Sequence, residues 1–219
     1  MKSIRAGVVG VGKMGSYHVG VLAELPEIQL AGIVDINKKR AAAIGRQYKV
    51  PFFTRYQDLY DLVDIVIIAV PTDLHYQIAK DFLKADKHVL LEKPVTNNLS
   101  KAREIFNLAT KKNLTLHIGH VERFNGAVQE LHRLVKTPIF VECKRMGPFS
   151  DRMKDDGVVL DIMIHDIDII LNLIPSKVVN TNVMGTSVFS GKDDLVNAQI
   201  EFENHCIASF VASRASQNK

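Results

Sequence analysis

Cysteine is scarce. Cys143 and Cys206 are the only two in 219 residues, they stand far apart, and they form no C-x-x-C pair. That excludes a disulfide framework and a thiolate metal cluster, and two isolated thiols suit a reducing, cytoplasmic setting. Long apolar runs are missing too: Ile65 to Val70 is among the longest, far below the roughly 18 residues a bilayer span needs. No membrane crossing is expected. Lys2 and Arg5 precede an apolar run as they would in a signal peptide, but Gly7, Gly10, Gly12 and Lys13 break it and no small-residue cleavage pattern follows. Export is not expected. Nor is there a long basic run: 28 Lys and Arg against 24 Asp and Glu leave a net charge of +4, which permits an anionic ligand without pointing to nucleic acid. Internal repeats and low-complexity stretches are absent.

What is present is the make-up of an ordinary globular protein with a sizeable core, 47% hydrophobic and 24% charged. At roughly 150 residues per domain the chain amounts to one and a half domains. Short β-branched runs alternate with segments of helical period, which predicts βαβ units and a parallel sheet. Strands are expected at Ile4 to Val9, Ile28 to Val34, Val50 to Phe53, Ile65 to Ala69, His88 to Leu91 and Leu114 to Ile118. The intervening helices are Lys13 to Leu25, Lys38 to Tyr48, Asp73 to Ala85 and Ser100 to Lys112. After Gly119 the character changes. Helices at Val121 to Val135 and Val158 to Ile174 accompany alternating strands at Ile139 to Arg145, Val178 to Val188, Leu195 to Phe202 and Cys206 to Ala212, with a loop somewhere in Glu130 to Pro138. Direct strand-to-strand links, as across Glu203-Asn204-His205, predict mostly antiparallel pairing. The expected architecture is a doubly wound α/β domain over 1–119 and an α+β domain with an open sheet over 120–219.

Gly10-Val11-Gly12-Lys13-Met14-Gly15 is a G-x-G-x-x-G between the first strand and the first helix. The first glycine suits a tight turn, the second a close approach of backbone to a pyrophosphate, and the third close helix packing, with the helix N-terminus facing the phosphates. Asp35 ends the second strand, where a carboxylate accepts hydrogen bonds from ribose hydroxyls and repels a 2′-phosphate. This Rossmann fingerprint predicts NAD, with NADP less favoured. Arg40, beside Lys38 and Lys39, is the residue that would meet a 2′-phosphate, although a short charge run is more often a solvated helix start.

Ligands of parallel sheets lie beyond the carboxyl ends of the strands. Two runs sit there. Pro71, Thr72 and His75 follow the fourth strand, with Thr72 equally readable as a helix cap. Glu92-Lys93-Pro94 follows the fifth, and the proline keeps Lys93 extended, aimed out of the strand end as a candidate acid or base. In the second domain Asp161, His165, Asp168 and Asn172 fall at i, i+4, i+7 and i+11 on an otherwise apolar helix, with Asp166 off the line. The stripe is either a solvated edge or a pocket wall in which Asp161 orients His165. A metal site finds too few ligands.

In this order, the glycine motif, Asp35, Glu92-Lys93-Pro94 and Asp161-x-x-x-His165-Asp166 resemble the glucose-fructose oxidoreductase / inositol dehydrogenase / MocA (Gfo/Idh/MocA) family of NAD(P)-dependent oxidoreductases. The resemblance covers the whole chain. It implies a catalytic group of Lys93, Asp161 and His165, with a carbinol C–H giving hydride to the nicotinamide while Lys93 or His165 takes the hydroxyl proton. It further implies cofactor contacts from Gly10, Val11, Gly12, Lys13, Met14, Gly15, Asp35, Pro71, Thr72, His75, Glu92 and Lys93. Gly119-His120-Val121-Glu122-Arg123-Phe124-Asn125, with Arg145-Met146-Gly147-Pro148-Phe149 and Arg152, looks like the branch of that family that oxidises the 3-hydroxyl of UDP-N-acetylglucosamine. It departs from that branch at Gly126, where proline is usual, which is expected to loosen a helix start. Arg123, Asn125, Arg145, Arg152, Asp161 and His165 become the substrate contacts, and Arg145, Arg152 and Lys154 are suited to a diphosphate because guanidinium groups hold phosphate oxygens in pairs. Alternatives are an inositol or free-sugar dehydrogenase of the same family and a non-catalytic NAD-binding regulator.

Members of that family normally extend further than this chain. With the strand Cys206 to Ala212 beside the C-terminus, a truncated second sheet is expected, exposing an edge that a homo-oligomer would cover.

Overall fold

The computed structural model describes residues 3–149 and 156–217. The chain divides into two compact units, Met1–Gly119 and His120–Lys219.

In the first unit β1 (Ile4–Val9), α1 (Lys13–Glu24), β2 (Ile28–Val34), α2 (Lys38–Tyr48), β3 (Phe52–Phe53), β4 (Ile65–Ile68), α3 (Thr72–Lys84), β5 (His88–Leu91), α4 (Leu99–Lys111) and β6 (Leu116–Ile118) follow one another. A 3-10 turn at Tyr56–Leu59, which no local pattern announced, leads into β4. The sheet order is β3-β2-β1-β4-β5-β6, every pair parallel. This is the doubly wound order that leaves a crevice where the chain reverses direction between β1 and β4. Alternation along the strands sends side chains to two cores. Ala6, Val8, Ile33 and Ile67 pack with Val19 of α1, while Val9, Val34, Val66 and Ile68 pack with Phe82 and Leu83 of α3 and Ile105 of α4.

The second unit has a 3-10 turn at Val121–Phe124, α5 (Gly126–Leu134), β7 (Phe140–Met146), a π turn at Val159–Met163 running into α6 (Ile164–Leu173), then β8 (Val178–Thr186), β9 (Leu195–Phe202) and β10 (Ile207–Ser213). The expected single helix over Val121 to Val135 is interrupted. Asn125 accepts a hydrogen bond from the Ala127 amide, the capping geometry that Asn favours, and this starts α5 afresh at Gly126. Nothing lies within 4 Å of a Cβ built on Gly126, so no packing reason demands glycine there.

The sheet order is β7-β10-β9-β8, antiparallel except for β10 against β7. This corrects the expectation that Cys206 to Ala212 would leave an open edge. β10 leaves its hairpin with β9 and inserts beside β7, so both its sides are hydrogen-bonded and the edges are β7 and β8. One face of the sheet packs Val196, Ala198, Phe202, Ala208, Phe210 and Ala212 against Met163, Ile170 and Leu173. Cys143 lies beside this core, where burial pushes its thiol up to about 11. No helix among the described residues is long and apolar enough to cross a membrane.

Candidate active site

The glycine turn is held by contacts that a side chain would destroy. Gly10 has φ +85, and a Cβ there would lie 2.5 Å from the Ala69 carbonyl oxygen. A Cβ on Gly15 would lie 1.7 Å from the Gly10 oxygen. Gly12 differs: its hypothetical Cβ meets nothing nearer than an Arg40 nitrogen at 3.7 Å, so the backbone there faces open space. Asn37 and Asn98 cap α2 and α4, but among the described residues no side chain caps α1 and no acidic residue lies in its first turn. Its amides are therefore turned outward for an anion.

Asp35 is 6% exposed. It accepts from the Val11 amide at 3.1 Å and the Asn37 amide at 2.8 Å, and Arg40 Nε stands 3.2 Å from its Oδ2. A cavity of about 360 Å³ opens at the ends of β1, β2 and β4, lined by Gly10, Gly12, Asp35, Arg40, Val70, Pro71 and Leu74 among others. Arg40 is thus not the purely solvated charge that the run of basic residues suggested, because Asp35 draws it to the cavity wall. Lys13 and Met14 are exposed on the first turn of α1.

Beyond β4 and β5 the sites separate by depth. Thr72 is the first residue of α3 and Pro71 takes the cap position, which corrects the reading of Thr72 as a cap. His75 is 1% exposed, its Nδ1 2.8 Å from the Pro94 oxygen and its Nε2 2.9 Å from the Val70 oxygen. It joins the two strand-end loops from beneath. His75→Leu removes the ring N–H that serves one of these two carbonyls, at about 1–3 kcal/mol for the group stranded. Amide exchange across β4 and β5 is expected to accelerate and NAD affinity to fall, and unaltered exchange would contradict this role. Glu92 is 8% exposed and accepts from His18 of α1 at 2.7 Å. Lys93 follows it, half-buried, joined to Pro94 by a cis peptide.

In the second unit Asp161 lies in the π turn and His165 at the start of α6, both half-buried. Over Asp161, His165 and Asp168 the polar stripe is not a solvated edge, whereas Asn172 at its end is exposed. Asp168 is 8% exposed and takes the Arg123 guanidinium in a two-pronged pair, with Nε to Oδ2 at 2.8 Å. Burial alone would push its carboxyl up, but the Arg123 hydrogen bond and the neighbouring His120 hold it below the usual range. Asp166, off the stripe in sequence, is equally buried and holds Arg145 through Nε at 3.1 Å and Nη2 at 2.7 Å. Arg123 and Arg145 therefore each turn one edge of the guanidinium toward α6. Asn125 is exposed. Arg152 and Lys154 lie outside the described residues.

Sequence reasoning missed three residues: His18, Asp194 and Arg214. His18 carries a readable signal, one turn past the glycine motif on the same helix. Asp194 and Arg214 carry none, since each looks like a loop charge. Asp194 is fully buried, and although burial alone would raise its carboxyl, the Ser190 hydroxyl and the amides of Phe189, Ser190 and Val188 hold it well below the usual carboxylate range.

Comparison with known proteins gives this geometry a lineage. Residues 4–120 match the model of an oxidoreductase family with an NAD-binding Rossmann fold, and residues 118–219 match the GFO/IDH/MocA C-terminal domain. The chain belongs to the GFO/IDH/MocA oxidoreductase family. Both the expected family and the expected fold class stand. UDP-N-acetylglucosamine 3-dehydrogenase of Acidithiobacillus ferrooxidans is 34% identical over 98% of this chain and 68% of its own length. A solved structure of that enzyme superposes with TM-score 0.93 at 33% identity, covering 100% of this chain and 72% of that one. Inositol 2-dehydrogenase of Corynebacterium glutamicum is 28% identical over 93% of this chain and 65% of its own length. At 21% identity, scyllo-inositol dehydrogenase of Lactobacillus casei, solved with NAD(H) and scyllo-inositol, shares the fold with TM-score 0.88 over 99% of this chain and 71% of that one. The chain spans about two thirds of the length of these curated relatives.

Proposed function

We propose that this family member oxidises a secondary hydroxyl of a nucleotide sugar to a ketone with NAD, the 3-hydroxyl of UDP-N-acetylglucosamine being the preferred substrate. The observation that carries the substrate is the 34% identity to an enzyme of that name across 98% of the chain. The residues around the glycine turn suit a dinucleotide. Gly10, Val11, Gly12 and Gly15 would bring backbone to its pyrophosphate at the uncapped end of α1, with Lys13 and Met14 alongside and Pro71 and Thr72 across the crevice. Asp35 would hold the adenosine ribose, and its carboxylate, already drawing Arg40 to itself, favours NAD over NADP. Bound there, the nicotinamide supplies the hydride acceptor.

The chain supplies the rest. Lys93 or His165 removes the hydroxyl proton, Asp161 orients His165 or the hydroxyl, and Glu92 and His75 hold the loop that carries Lys93. Arg123, Asn125, Arg145 and Arg152 meet the nucleotide sugar. The reading includes self-association in the cytoplasm through the outer face of the second sheet, where Phe140, Met184, Leu195 and Ile207 are exposed.

A free polyol substrate is the second reading, favoured by the engagement of Arg123 and Arg145 with Asp168 and Asp166. Absorbance of the reduced cofactor is followed with NAD or NADP and with UDP-N-acetylglucosamine, N-acetylglucosamine or inositol. Turnover is expected with NAD and the nucleotide sugar. Turnover of inositol alone would establish the second reading, and NAD binding without turnover of any of them would overturn both.

A further inference from the structure

Arg214 directly follows β10 and is 1% exposed. Its Nε donates to Asp194 Oδ1 at 2.7 Å, its Nη2 to Ser190 Oγ at 2.9 Å, and its Nη1 lies 3.9 Å from Asp161 Oδ2. The ring of Phe149 covers the guanidinium at 5.8 Å. Asp194 is itself satisfied from several sides. Its Oδ2 accepts from the amides of Val188, Phe189 and Ser190 at 2.8, 2.6 and 2.9 Å, and its Oδ1 from Ser190 Oγ at 2.6 Å.

Two facts stand out. The loop before β9 already supplies Asp194 with four donors, so Asp194 does not by itself require a fully buried arginine, whose desolvation is unfavourable. The guanidinium is planar and rigid, so fixing its Nε on Asp194 and its Nη2 on Ser190 also fixes where Nη1 points. It points at Asp161.

We propose that Arg214 is a positioning residue for the reaction: anchored on Asp194, it holds the Asp161 carboxylate in place. The inference rests on the role given to Asp161 in the reading above, which it deepens. The Asp194 loop is the rigid base, Arg214 the arm, and Asp161 the group presented to substrate.

Arg214→Gln removes the charge, and Arg214→Lys keeps it on an amine that cannot span both carboxylates. In molecules verified as folded, the Gln variant is expected to lose about tenfold or more in kcat with little change in KM, because a small misplacement of a reacting group is expensive. The Lys variant is expected to fall between it and the wild type. A residue that merely stabilised the loop would lower the melting temperature and leave kcat per folded molecule alone. Wild-type kcat in either folded variant therefore overturns the proposal, and the Lys variant decides if the Gln variant does not fold. If the wild-type chain turns over neither nucleotide sugar nor polyol, the functional reading has failed separately. Crystal structures of the variants then decide: the Asp161 carboxylate is expected to shift by about 1 Å, and an unmoved carboxylate overturns the role.

Discussion

Lys93→Met is expected to lower turnover of NAD and UDP-N-acetylglucosamine by about two to four orders of magnitude, the range lost when a positioned general base is removed. Methionine keeps the apolar stem and length but carries no proton. The loop around it stays in place, because Glu92 keeps its hydrogen bond from His18 and the Pro94 carbonyl its contact with His75. NAD affinity by calorimetry is expected to fall far less than the rate, since Lys93 is one cofactor contact among many. Steady-state absorbance of the reduced cofactor measures the rate. A variant with near-normal kcat would show that the proton leaves through another group, and His165→Ala is the variant to examine next.

The second large effect is on stability. Asp194→Ala removes the fully buried carboxylate that collects three amides and a hydroxyl, and it strands the Arg214 guanidinium, also buried. Breaking a buried ion pair from one side costs about 3–5 kcal/mol. The loss is expected in the second unit, read as faster amide exchange through β9, β10 and α6, with β1, β4 and β5 unaffected. Its pH dependence has a definite sign. The folded carboxyl titrates well below the usual range, so its contribution is complete above the unfolded value of about 3.9 and is lost as pH falls through the folded one. The gap between wild type and variant is thus expected to be flat from neutral pH down to mild acid and to narrow only below about pH 4. A gap that closed already in mild acid, or exchange rates equal to wild type, would refute this account of Asp194.

The first unit was legible because its signals are local. Short β-branched runs such as Ile65 to Ile68 and the glycine turn followed by Asp35 need only neighbouring residues to be read, and together they specify a doubly wound sheet and its crevice. The second unit rests on pairings with no local trace. Nothing within Ile207 to Ser213 says that it lies parallel to Phe140 to Met146, and nothing near Asp166 says that Arg145 awaits it. The polar stripe on α6 was found by periodicity, but periodicity cannot tell a water-facing carboxylate from one buried under arginine. The Asn125 break was readable from the residue type, since Asn is a favoured N-cap, yet the apolar pattern on either side concealed it. His18 and Glu92 are brought together only by the fold.

The central place of β10 bears on how the protein is made. Every strand pairing of the first sheet joins segments within residues 4–118, so that unit can close on a ribosome still synthesising the remainder. In the second sheet, among the described residues, β7 pairs with β10 alone. Residues 140–146 therefore wait, with their hydrogen-bonding edge unclaimed, until residues 207–213 emerge. Non-local pairing of this kind forms slowly and leaves strand edges open meanwhile. During that interval β7, with Phe140 at its start and Ile139 just before it, is open to wrong pairing.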